Sequence, residues 1–297
     1  TVVLEERYSR IDNNPSALLS EQINTALFMN HPYRKPIIGW EHEIKNLSLK
    51  DVMSFYEKYY APNNAIIVIC GDVTLEEVVK IAKKHFGSIK PSKIEKRLWT
   101  EEPTQHAPRV VILKSENTAI PVFERHYLVP TYTKSKKESI ALQVFTEIFG
   151  NPSTGMLFDE FVKNKKIATS AAAYYYPDGF GDTSFTISIV PKKGITLNKI
   201  ESELNIYLKE IKEKVVNKDE LKSTKKRLVN ETIFAQDSLY MGMRIFGSSL
   251  STGYSLKNII DWSSDIQKVS LDDIQNILSK IFDSNKSVTG LLLPIDK

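Results

Sequence analysis

Apolar side chains recur at helical spacing along residues 48–60. Val52, Phe55, Tyr56 and Tyr59 fall at i, i+3, i+4 and i+7, behind Ser48, which can cap the helix, and Asp51, which can close a capping box. The arrangement returns 222 residues later, where Ile274, Ile277, Leu278 and Ile281 follow Ser270 and Asp273. The flanks repeat as well. Residues 37–60 (IIGWEHEIKNLSLKDVMSFYEKYY) align without a gap with 259–282 (IIDWSSDIQKVSLDDIQNILSKIF), matching Ile37 with Ile259, Trp40 with Trp262, Ile44 with Ile266 and Leu49 with Leu271. Each helix then turns, through Asn63 or Asn285, into an apolar stretch that reads as a strand, AIIVIC (65–70) or SVTGLLL (287–293). A cap, a stripe and a strand shared at one offset imply a duplicated unit, with both stripes expected to be buried.

The remaining pattern fills in the second copy. It begins at the strand RVVIL (109–113), and shifting position 109 back by 222 puts the corresponding start at −113, so more than a hundred residues of the first copy are expected before Thr1. Period-two alternation predicts a strand over 122–129, with Phe123, Tyr127 and Val129 on one face. Ser135 and Glu138 are expected to cap a helix running to Gly150, followed by a helix over about 155–165. Two strands, 168–176 and 183–190, straddle the turn Pro177-Asp178-Gly179, and helices follow near 197–214 and 218–235. Hairpins followed by runs of helices predict an α+β fold: helices packed on one face of a mostly antiparallel sheet.

Composition narrows the function. With 41% hydrophobic and 26% charged residues among 297, wholesale disorder is excluded. The net charge of +4 is spread along the chain, and the runs at 134–137, 163–166 and 225–227 read as helix ends and solvated faces, so a nucleic-acid binder is not indicated. No stretch approaches the ~20 apolar residues of a membrane span, and none reads as a signal peptide, which in a sequence opening on Thr1 says nothing about the intact protein. The single cysteine, Cys70, lies in an apolar run and reads as a small core residue. Of five histidines, none pairs with another at metal-ligand spacing; His85 reads as a packed edge residue of the helix 75–86, and His31 as a loop residue. GNPSTG (150–155) reads as a turn rather than a phosphate loop. Glu5, Glu6, Arg7 and Arg10 remain, and taken alone they describe a solvated helix face with Glu6 and Arg10 paired at i,i+4.

The runs VVLEERYSRIDNNP (2–15), HPYRKPIIGW (31–40), YAPNNAIIVICGDV (60–73) and TISIVPKKG (186–194) resemble the M16 family of zinc metallopeptidases, which includes pitrilysin, insulinase and the processing peptidases, and within it the bacterial periplasmic-type zinc proteases. The resemblance implies two homologous α+β domains: 1–95 as the C-terminal part of the zinc domain, 96–108 as a linker and 109–297 as the second, non-zinc domain. It implies Zn²⁺ as cofactor, with Glu6 as one metal ligand. Two histidines and the general-base glutamate of an H-x-x-E-H helix are then expected upstream of Thr1, leaving this chain inactive alone. Many members also carry an Arg and a Tyr seven residues apart in the second domain to hold the substrate backbone. Here Val162 and Thr169 occupy those places, unless the alignment slips toward the nearby Tyr174–Tyr176. The implied function is hydrolysis of peptides or unfolded segments enclosed between the domains, in a secreted or periplasmic bacterial protein, with a paralogous M16 subunit supplying the Arg/Tyr pair as a heterodimer. The alternative is a non-catalytic scaffold or core subunit of a hetero-oligomeric complex.

Overall fold

Alternation along the strands decides how the molecule is layered. In the computed structural model, which describes residues 2–95, 98, 100–213 and 216–295, five helices precede the first strand: α1 (Val2–Arg7), α2 (Pro15–Leu27), α3 (Glu41–Asn46), α4 (Leu49–Tyr59) and α5 (Leu75–Phe86). The strands are β1 (Arg109–Ser115), β2 (Val122–Pro130), β3 (Ala168–Tyr175), β4 (Asp182–Pro191) and β5 (Ser287–Pro294). Between β2 and β3 lie α6 (Lys136–Gly150) and the short α7 (Met156–Phe158). Between β4 and β5 run α8 (Leu197–Glu213), α9 (Lys218–Gln236), α10 (Leu239–Ser251), α11 (Leu256–Ile260), α12 (Trp262–Lys268) and α13 (Leu271–Ile281). The fold is α+β. One five-stranded sheet in the order β1-β5-β2-β4-β3 is antiparallel except for β1 against β5.

One face of that sheet carries the main core. Phe123 and Tyr127 stand in register with Ile189 and Phe185, and all four are buried against α6, α8 and α13. Phe145, Phe149, Phe185 and Phe282 meet there with ring centroids 5.1–6.2 Å apart. Each such ring contributes roughly 1.5–3 kcal/mol by leaving water.

The opposite face is covered in part by α2. Its start is set by Pro15 in the first turn and by Asn14, whose side chain accepts the Ser16 and Ala17 N–H groups. Leu19, Ile23 and Leu27 then form one stripe that buries against Val288 and Leu292 of β5. Gly290 permits this approach, since a Cβ there would collide with Ile23 Cδ1. Gly290→Ala should therefore destabilise the protein by about 1–3 kcal/mol through overpacking. Ile23→Val, which removes the offending methyl, should recover part of that loss, so urea unfolding of the double variant should show the two changes costing less together than in sum. A neutral Gly290→Ala would mean that α2 does not seat on the sheet.

The repeat is visible in the caps, and it diverges in the packing. Both expected capping boxes form, Ser48 with Asp51 and Ser270 with Asp273. Behind the second, Ile274, Ile277, Leu278 and Ile281 are all buried. Behind the first, Val52, Phe55 and Tyr56 are about half exposed, and the expected burial does not occur. The Phe55 ring lies 4.7 Å from the Tyr59 ring of its own helix. The expected strand at 65–70 forms no ladder either; Ala65 is extended, but no described strand lies beside it to accept its hydrogen bonds. For the same reason Cys70 is exposed rather than packed in a core, and His85 is exposed on α5 rather than buried at an edge.

Two further expectations change. Ser135 precedes α6 without a side-chain cap bond, and the Glu138 carboxylate expected to close the cap pairs with Lys280 instead. The helix expected over 155–165 splits into α7 and a π-helical stretch, Asp159–Asn164. Residues 96, 97 and 99 of the expected linker and residue 214 of the expected helix lie outside the described residues.

Candidate functional site

The first helical turns carry the candidate residues. α1 ends at Arg7 and passes directly into a π-helical stretch, Tyr8–Asp12, closed by the Asn13 N–H donating to the Tyr8 carbonyl at 3.0 Å. Widened turns of this kind recur at functional sites. Here the widened turn follows a helix whose two sides have opposite fates. Glu5 and Glu6 are exposed, whereas Arg7 is buried.

Arg7 ties the segment to the rest of the chain. Its guanidinium donates through both terminal nitrogens to Glu21 of α2, at 2.9 and 3.1 Å, and through Nη1 to the Gly39 carbonyl at 2.9 Å. Asp12 adds an ion pair at 3.1 Å, and the Trp40 ring lies 5.9 Å away. The fork-on-fork bond to Glu21 raises the Arg7 pKa further above its ordinary value, against a smaller opposing effect of burial. Beside it, Tyr8 donates to Glu41 at 2.8 Å, which raises the Tyr8 pKa. Two segments distant in sequence, α2 through Glu21 and residues 39–41, thus converge on α1 and the widened turn that follows it.

Glu6 points away from this network. Its Oε1 lies 3.0 Å from Arg10 Nη2, the i,i+4 pair expected from sequence. Both side chains are exposed, so the pair is worth no more than about 0.3–0.5 kcal/mol and leaves the carboxylate free to take another cation. A catalytic zinc needs three protein ligands and an open position. Among the described residues no group of three or more His, Cys, Asp or Glu is placed to hold a metal. The described residues therefore offer Glu6 as a lone carboxylate here and do not by themselves fit a zinc ion.

The other singled-out positions separate. Val162, in the π-helical stretch after α7, is half-buried against the main core. Thr169, on β3, is exposed and donates to the Val190 carbonyl at 3.2 Å. Neither offers a cation or a phenol. Of the neighbouring tyrosines, Tyr175 is buried with its hydroxyl 2.7 Å from the Pro130 carbonyl and from Ser139 Oγ, while Tyr174 and Tyr176 are exposed.

His31 is buried between the rings of Phe28 and Tyr33, and its backbone N–H donates to Glu102 at 2.8 Å. Burial lowers its pKa, so it stays neutral where an exposed histidine begins to protonate. The loop it belongs to docks on the β3–β4 turn, where the Phe180 N–H donates to the Tyr33 hydroxyl at 2.9 Å and Gly181 approaches the imidazole.

Two groupings were not anticipated. Arg7 and Glu21 are fourteen residues apart, and nothing in their spacing pairs them. His126 lies 3.1 Å from Glu124 on its own strand and 3.1 and 3.0 Å from Ser184 and Thr186 on β4. The i,i+2 spacing of Glu124 and His126 was a usable signal, since it puts both on one face of a strand. The partners on β4 depend on register, which aligns His126 with Thr186.

Comparison with known proteins bears on this geometry. The family described as "Peptidase M16 inactive domain" matches residues 46–228. The zinc protease PqqE of Helicobacter pylori is 27% identical over 300 residues, covering 99% of this chain and 66% of that protein, so the chain spans about two thirds of this relative's length. The crystal structure of a protease from Helicobacter pylori superposes with a TM-score of 0.90 at 25% identity, covering 99% of this chain and 70% of the other. That of the periplasmic protease PqqL from Escherichia coli superposes with a TM-score of 0.76 at 16% identity, covering 98% of this chain and 33% of the other, which is a likeness of fold.

Proposed function

Since the chain belongs to the M16 peptidase family, we propose that it is part of a zinc metallopeptidase that hydrolyses peptides or unfolded segments held between two homologous domains. The observation that carries this is Glu6, an exposed carboxylate on a helix anchored from its other side by the buried Arg7. In this proposal residues 1–95 complete a zinc domain, 96–108 are a linker and 109–297 are the non-zinc domain. Glu6 supplies one zinc ligand; two histidines and the general-base glutamate come from a part of the protein beyond this chain. Zinc, when bound, supplies a water acidic enough to attack a peptide carbonyl at neutral pH. The chain's own contribution is positional: the Arg7–Glu21 pair fixes where the α1 carboxylate stands.

The bare apolar face of α4 and the unpaired stretch 65–70 support the same proposal. By the repeat they correspond to α13 and β5, which are buried between neighbours, so they call for an equivalent sheet and helices in the complete protein. Val162 and Thr169 provide nothing to grip a substrate backbone, which favours a paralogous M16 subunit supplying that grip. A periplasmic location is supported by the fold shared with PqqL.

The absence of the Arg/Tyr pair also favours a second reading, a non-catalytic scaffold subunit. One experiment separates them: the zinc content of the complete protein and its cleavage of an unfolded casein, with and without 1,10-phenanthroline. A peptidase should hold about one zinc per chain and lose essentially all cleavage on chelation, regaining it with added Zn²⁺. A folded protein without zinc or cleavage would favour the scaffold.

A further inference from the structure

On the helix-covered side of the sheet, a cavity of about 680 Å³ opens between the C-terminal half of α8, the end of α13 and the turn that precedes β5. Its size falls within the range of small-molecule sites. Its charge is one-sided. Arg125 and Tyr127 of β2 lie at its floor, Lys209 and Lys212 of α8 on one wall, and Lys280 and Lys286 on the other, while Asp283 is the one carboxylate among its lining residues.

Some of this charge is already answered and some is not. Arg125 is 4% exposed and is held in place by Thr289, Asn205 and Glu201. Lys280 pairs with Glu138, and Lys286 reaches Asp283 only at 4.0 Å. Among the described residues no carboxylate is paired with Lys209 or Lys212, which stand one turn apart on the same helix face. Cations converging on a concave, partly apolar site focus their field into it and concentrate anions there. Tyr127 adds a directional group. Burial pushes its hydroxyl up to about 12, so it remains a hydrogen-bond donor at physiological pH, and its ring stands edge-to-face against Phe282, 5.5 Å away.

We propose that this cavity is a binding site for a small phosphorylated molecule bearing two or more negative groups, gripped by Lys209 and Lys212 over a floor made by Arg125 and Tyr127. Two lysines one turn apart on α8, with Lys286 opposite, suit anionic groups linked a few ångströms apart better than a single isolated anion. Arg125 then plays a fixed role, pre-oriented by its three partners before any ligand arrives.

Pyrophosphate is the probe, titrated into the complete protein at low ionic strength and followed by calorimetry and ³¹P NMR. Saturable binding at one site per chain is expected, weakened about tenfold or more by Lys209→Ala/Lys212→Ala. Both side chains lie at the rim, so this variant should keep its thermal unfolding midpoint without ligand. Lys83→Ala/Lys84→Ala removes the same charge from exposed positions on α5 and should leave affinity within about twofold. The proposal is overturned if no saturable binding is seen up to about 10 mM, or if the α5 pair weakens binding as much as the α8 pair does.

Discussion

Glu6→Gln in the complete protein is expected to remove bound zinc and peptidase activity together while leaving the fold intact. Glutamine keeps the size and one acceptor of the carboxylate but not its charge, and a divalent ion held by two neutral imidazoles and one carboxylate depends on that charge. Even groups that touch only the ligands are worth roughly 10–100-fold in such sites, so loss of a ligand should lower kcat/KM by more than about 100-fold. Stability should change by less than about 0.5 kcal/mol, because the side chain is exposed and its ion pair with Arg10 is a solvated i,i+4 contact. Glu5→Gln, one residue away and also exposed, should be silent in both assays. Metal analysis and peptide hydrolysis on the same preparations decide the matter: full zinc retention in Glu6→Gln would remove Glu6 from the ligand set.

Arg7→Leu should act in the opposite sense, on stability first. The side chains of Arg7 and Glu21 are only 7% and 5% exposed. Taking away the guanidinium strands the Glu21 carboxylate in a dry site, orphans the Gly39 carbonyl and releases Asp12. Breaking a buried pair from one side costs about 3–5 kcal/mol. Arg7→Lys keeps the charge but cannot reproduce the two parallel bonds, so it should fall between Leu and the wild type. In Arg7→Leu/Glu21→Leu no buried charge remains, and most of the lost stability should return. Urea unfolding midpoints of the four proteins test this. A cost below about 1 kcal/mol for Arg7→Leu would mean that the pair does not anchor α1 in solution. Because Arg7 stays protonated at every accessible pH, no titration of its own should appear in this effect.

The two variants mark what could and could not be read from sequence. Glu6 and its pairing with Arg10 follow from helical spacing, and singling it out from Glu5 came from resemblance, not from chemistry intrinsic to the position. Arg7 gave no such sign, because its partners Glu21, Asp12 and Gly39 are brought to it by two turns of chain and a widened π-helical turn that no periodicity announces. The polar cluster around His126 was half legible: Glu124 by alternation on one strand, Ser184 and Thr186 only through the register between two. The basic cavity was not legible at all, since its lysines come from α8, from α13 and from the turn before β5, and a charge run on any one of them is an ordinary solvated face.

The repeated segment draws the line between the two kinds of information. Sequence alone determined that Leu49–Tyr59 and Leu271–Ile281 are helices, each opened by a serine–aspartate capping box, because caps and turns are settled by residues within four positions of one another. It also determined the alternation that gives β2 and β4 one core-facing side. Tertiary structure alone decided which of two matching apolar stripes is buried. Ile274, Ile277, Leu278 and Ile281 meet α6, α8 and the sheet, whereas Val52, Phe55 and Tyr56 stay about half exposed because no sheet among the described residues lies over them, and the unpaired 65–70 stretch leaves Cys70 exposed. Burial is a property of two surfaces, and a stripe specifies only one of them.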